Sequence, residues 1–167
     1  MDKIVPPSFC VQPFYKKGAH ISIHPSHTFL ERQWAHPFSE DITMLTKPWQ
    51  TGATEAIRIL VDSFESNQAT YKVYFKEGKA KEIAHEQNVM KAMMVQALFW
   101  LNGQNVDLMN LKQAISSFAY TPLNTQDRLV FILSHQNDRA FVQLCSFMDD
   151  LKKLNERVNL LKRGSQL

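Results

Sequence analysis

VMKAMMVQALFWL, residues 89–101, is the stretch that decides the fold. Eleven of its thirteen residues are apolar, and only Lys91 and Gln96 interrupt the run. Met, Ala and Leu are strong helix formers, so the stretch predicts a helix. A helix that is apolar nearly all round has no solvent face and must be enclosed by other elements. At about 1.5 Å per residue it extends roughly 20 Å, short of the ~30 Å hydrocarbon core of a bilayer. No apolar run elsewhere reaches the ~18 residues of a membrane span. The expectation is a buried core helix in a chain with no membrane partner.

The central helix is predicted over 81–102, with Gly103 in the left-handed position that stops it. Before it, apolar residues at 53, 56, 57, 60, 61 and 64 repeat as on one face of a helix, with Thr51 or Thr54 as cap. QATYKVYFKEG at 68–78 carries β-branched and aromatic residues that favour a strand, between neighbours that favour a helix. The helix is the preferred alternative, ended by Gly78. Ser26 is expected to cap a short helix through Ala35, and Ser39 another at 40–46 whose Glu40 and Asp41 face its N-terminal dipole. Residues 1–26 hold Pro6, Pro7, Pro13, Gly18 and Pro25, which predicts an extended arm laid on the bundle. HISIH at 20–24 alternates as a very short strand would.

After Gly103, Asn105 or Asp107 is expected to start a short helix with apolar positions 108, 111, 115 and 118. Asn124 caps TQDRLVFILSH, and a last helix runs from Asn137 to Arg163. Read as heptads, the last helix has a seam at 141, 144, 148, 151, 155 and 158, with Asn155 fixing register as in a helix pair; this allows a homodimer through it. The wider alternative, preferred for an intramolecular bundle, runs through 154 and 161 and leaves Asn155 at its edge. The fold class is therefore all-α, an irregular bundle around a central buried helix with a Pro-rich N-terminal arm.

Composition agrees with a folded chain: 44% hydrophobic, 21% charged, 167 residues, read as a single domain over 1–167. Five glycines are too few for a many-turned β-sandwich. A net charge of +3 permits contact with nucleic acid without requiring it. Cys10 and Cys145 give no disulfide framework, and the early prolines break up any secretory leader, so a cytoplasmic protein with reduced thiols is expected.

Three constellations carry candidate chemistry. His20, His24, His27 and Glu31 crowd the first quarter, and His27 and Glu31 stand four apart, the spacing at which two side chains on one helix grip a metal. No HExxH, GxSxG, P-loop or Rossmann pattern accompanies them, so neither an enzyme nor a cofactor is expected. Lys72, Lys76, Lys79 and Lys81 interleave with Tyr71, Tyr74 and Phe75, cations for phosphates beside faces for bases. Lys152, Lys153, Arg157, Lys162 and Arg163 form a second basic cluster. Phe9, Phe14, Tyr15 and Trp49, with Asn155, are the candidate contacts for a protein partner.

PLNTQDRLVFIL (122–133) followed by RAFVQL (139–144), together with the proline-rich, aromatic VPPSFCVQPFY near the start, resembles the YpoC-like family of small bacterial helical proteins. Asp127 stands where that family more often has Glu. The resemblance implies an all-α fold and a bacterial cytoplasmic setting, and brings no activity or catalytic residue with it. The expected function is a non-catalytic protein-interaction module, with nucleic-acid binding and metal-dependent catalysis as the alternatives.

Overall fold

A computed structural model describes residues 1–165; Gln166 and Leu167, the end of the predicted unit, lie outside the described residues. The central helix is α4 (Ala84–Leu101), led in by a 3₁₀ turn over Ala80–Ile83, and every residue from Val89 to Leu101 is buried. Two long helices, α3 (Ala53–Lys76) and α7 (Asp138–Gly164), pack on α4 and on each other. α1 (Phe29–Ala35) crosses both α3 and α4, and the five-residue α2 (Ser39–Thr43) sits against α1. α6 (Thr125–Ser134) packs on α7, and α5 (Leu111–Ser117) packs on α6. One apolar cluster runs from the arm through to α7. The fold is all-α apart from one two-stranded sheet in the arm.

The two polar interruptions of α4 are tied to different neighbours. Lys91, 2% exposed, donates from Nζ to the carbonyl of His135 at 2.6 Å, just past the last residue of α6. A cation there meets the negative end of the α6 dipole. Gln96, 0% exposed, donates from Nε2 to the Asp41 carboxylate of α2 at 2.9 Å.

The ambiguous stretch at 68–78 is helical, because its aromatics find core partners: Phe75 stacks on Phe141 of α7 with centroids 4.7 Å apart. Gly78 and Gly103 adopt positive φ and close their helices, the following N–H groups donating to Tyr74 and Phe99 carbonyls. Several predicted caps are corrected. Thr28, not Ser26, caps α1, in a reciprocal box with Glu31. Gly52 precedes α3 in place of Thr51 or Thr54, and Asn110 precedes α5 in place of Asn105 or Asp107. Ser39 lies inside α2, and Asn124 precedes α6 in the left-handed conformation without capping it through its side chain. The arm is extended at β1 (Asp2–Ile4), which pairs antiparallel with β2 (His20–Ser22) while Ile21 and Ile23 are buried, and it departs from extended structure in a 3₁₀ turn over Pro7–Phe9.

On α7 every heptad seam position is buried, and the stripe is wider than the seam, because Ala140 and Phe147 are buried beside it and Leu154 packs half-buried on the core; Asn155 lies within the stripe and Leu161 outside it. Asn155 is 2% exposed while Leu161 is 57% exposed. The seam is nevertheless filled from within the chain, since α3 and α4 cover it and the Asn155 amide donates to the Thr54 carbonyl at 3.1 Å. Asn155 is thus an internal register residue, not a contact for a partner, and the seam is not free for a second copy. Arg58 with Glu156 (2.7 Å) and Lys152 with Glu65 (2.9 Å) fix the same antiparallel alignment of α3 and α7.

Burial lowers the Lys91 amine from 10.5 to about 8. Its folded pKa lies below its unfolded one, so the unfolded chain holds the proton more tightly between these values, and stability rises with pH across that window. Denaturant unfolding of the wild type should therefore gain stability on the order of a few kcal/mol relative to Lys91→Met between about pH 8 and pH 10. A constant difference between the two proteins across that range would contradict the assignment.

Candidate functional site

LVFIL at 129–133 puts five apolar residues in a row on a helix, where successive side chains turn by about 100°. They cannot all face one core. Leu129 and Ile132 are buried, and Val130 is left 67% exposed. Leu123, just before α6, is 85% exposed. α6 is held in this orientation by Arg128, which pairs with Asp150 at 2.8 Å and lies over the Phe147 ring, both on α7.

Between α5 and α6 the surface opens into a groove of about 200 Å³. Leu111 and Ile115 form its α5 wall, Leu129 and Val130 its α6 wall, and Lys112, Gln126 and Asp127 edge it. Its base is aliphatic, for Ile115 and Leu129 are both buried. Among the described residues neither Lys112 nor Asp127 enters an ion pair. The arrangement suits an apolar side chain inserted from outside, with one charge of each sign beside it. The pattern at 111 and 115 is readable in the sequence; that α5 leaves one side of α6 uncovered is not.

A second concentration of chemistry lies on α2, all five of whose residues are buried. Glu40 accepts from Arg32 Nε at 2.5 Å and from the Thr46 N–H at 3.1 Å. Asp41 accepts from Gln96 Nε2, from Trp100 Nε1 at 3.2 Å and from the Val106 N–H at 3.0 Å. Burial pushes the Asp41 carboxyl from 3.8 up to about 6, against the opposing pull of those three donors. The two carboxylates predicted to serve the α2 dipole are therefore buried anchors. Asp41 joins α2 to two successive turns of α4 and to the segment after Gly103.

The sequence candidates are dispersed by the fold. His27 precedes the cap of α1, so it and Glu31 never share a helix face, and Glu31 turns back to the Thr28 N–H at 2.6 Å. His24 bonds Ser26 at 2.6 Å and lies 5.7 Å from His27 ring to ring, while His20 stands exposed on β2. Among the described residues no three His, Cys, Asp or Glu side chains converge to hold a metal. Lys72, Lys76, Lys79 and Lys81 are exposed around the end of α3, but Tyr71 and Phe75 pack on the core, leaving Tyr74 as the half-buried aromatic among them. In the second cluster Lys152 and Lys153 are paired with Glu65 and Asp149, whereas Arg157, Lys162 and Arg163 are exposed. Phe9 is buried and Phe14 packs edge-on against Phe38 at 4.6 Å, so the arm aromatics face inward. Tyr15 donates to the Pro37 carbonyl, and Trp49 is half-buried beside Trp100. Burial raises the Cys145 thiol to about 11, which keeps it protonated.

A family model described as YpoC-like protein matches residues 54–163. The chain belongs to the YpoC-like family. The match begins at the second residue of α3 and ends one residue short of the end of α7, so the groove lies inside it. The arm, α1 and α2, with Glu40 and Asp41, fall outside the YpoC-like stretch. No curated protein and no solved structure gives a significant match. No helix among the described residues is long and apolar enough to cross a membrane.

Asp41 supplies a pH test of the α2 anchor. Its folded pKa exceeds its unfolded one, so the native state binds more protons between about pH 4 and pH 6, and its contribution to stability falls as pH rises through that window. Asp41→Asn keeps the shape without the charge and should flatten this fall relative to wild type in urea unfolding from pH 4 to pH 7. Asp41→Ala orphans three donors and should cost about 3 kcal/mol or more at pH 7. Unchanged stability in Asp41→Ala would show that the carboxylate anchors nothing.

Proposed function

We propose that this YpoC-like chain is a non-catalytic protein-interaction module of the bacterial cytoplasm, and that the groove between α5 and α6 is its contact face. One observation carries this: an aliphatic-floored groove stands open beside exposed Val130, with Lys112 and Asp127 unpaired at its edge among the described residues. A lone exposed aliphatic is ordinary on a protein surface. An exposed aliphatic bordering an apolar recess is the arrangement expected of a docking face, where insertion removes both from water. Full burial of a Val or Leu side chain contributes about 1.5–3 kcal/mol, against an association cost of ~4 kcal/mol or more, so a face of this size supports reversible contact. The free thiols Cys10 and Cys145 fit a reducing compartment.

The test is affinity capture from the native host with the full chain, with Val130→Glu and a Lys76→Glu control. Both residues are exposed, so each variant should retain wild-type helicity by circular dichroism. Proteins held by the wild type and by Lys76→Glu should be lost with Val130→Glu. Equal recovery by all three would overturn the assignment of the face.

A further inference from the structure

The groove accepts an apolar side chain and, on its own rim, presents one. We propose that its occupant is a second copy of this chain, docked through a two-fold contact between the two α5–α6 faces; this rests on the contact face assigned above and names its partner. In a two-fold interface the same patch must serve as donor and receiver on both copies. The α5–α6 face meets that condition in two independent ways. Val130 protrudes at the rim of a recess of about 200 Å³, larger than the roughly 150 Å³ cavity that accommodates a benzene ring, so an aliphatic side chain fits. Each copy would therefore insert Val130 over the Ile115–Leu129 floor of the other. Across the same recess stand Lys112 on α5 and Asp127 on α6, opposite in sign and unpaired within the described residues. A two-fold axis through the groove brings Lys112 of each copy to the partner's Asp127, giving two equivalent pairs. A partner of uniform charge would satisfy one edge and be repelled by the other.

Sedimentation velocity on the full chain across a wide concentration range provides the test. The wild type should pass from monomer to dimer as concentration rises, and Val130→Glu should remain monomeric with unchanged helicity. Lys112→Glu alone should weaken the dimer roughly tenfold or more, since two pairs become two repulsions. Adding Asp127→Lys to the same chain restores both pairs with the signs exchanged and should restore the dimer. A wild type that stays monomeric throughout, a dimer indifferent to Val130→Glu, or a charge exchange that fails to rescue would each overturn the proposal. The contact-face assignment is judged separately: a monomeric wild type that still captures a different protein in a Val130-dependent way sinks the second copy alone, while loss of both effects sinks both.

Discussion

A helix without a polar face is soluble only if its neighbours cover it on every side, and α4 imposes that condition on the whole chain. α3, α7 and α1 supply most of the cover. Each fully buried Leu, Met or Phe of α4 contributes about 1.5–3 kcal/mol, whereas a single net hydrogen bond contributes about 1 kcal/mol. Apolar burial therefore drives assembly around α4. The polar residues select which assembly forms, because a buried polar group left without its partner is costly. Lys91 reaches the end of α6, and Gln96 with Trp100 reaches Asp41 on α2. A neighbour docked out of register would break one of these connections.

α2 shows how far such anchoring extends. It is bounded by Phe38 and Met44, both non-glycine residues with positive φ, a conformation that costs on the order of 1–3 kcal/mol each. Phe38 is fully buried against Phe9 and Phe14, so the arm's aromatic packing holds the strained entry to α2 in place. The side chains of Glu40 and Asp41 then leave the same short helix to separate sets of donors. The arm is thus part of the mechanism that places Asp41 beneath α4, which explains why its aromatics are not available to a partner.

The long helices were legible because their periodicity and stops are local properties. The apolar repeat of α3, the all-round apolar run of α4, and Gly78 and Gly103 all express themselves within a few residues of sequence. The caps were less legible, since Ser26 and Thr28 offer the same chemistry and only the reciprocal bond with Glu31 distinguishes them. β1 was invisible: DKI has no alternation to read, and its pairing depends on a strand some eighteen residues on. The sequence places Glu40 and Asp41 against a helix dipole, but their burial is not legible there, since it is decided by Arg32 from the preceding helix and by Gln96 and Trp100 more than fifty residues on. The groove was unreadable for the same reason. LVFIL announces that one apolar side chain must point away from the core, but which one, and what lies beside it, depends on where α5 lands.

The groove and the central helix are linked through α6, where the His135 carbonyl at its end accepts a hydrogen bond from Lys91 and the outer face carries Val130. The shape of the α5–α6 groove is therefore only as well defined as the enclosure of α4. Native-state hydrogen exchange of the amides from Val89 to Leu101 tests that enclosure most directly. If neighbours cover α4 on all sides, these amides exchange only through global unfolding, with a free energy equal to that of denaturant unfolding. Exchange of the same amides through local openings well below the global value would contradict it.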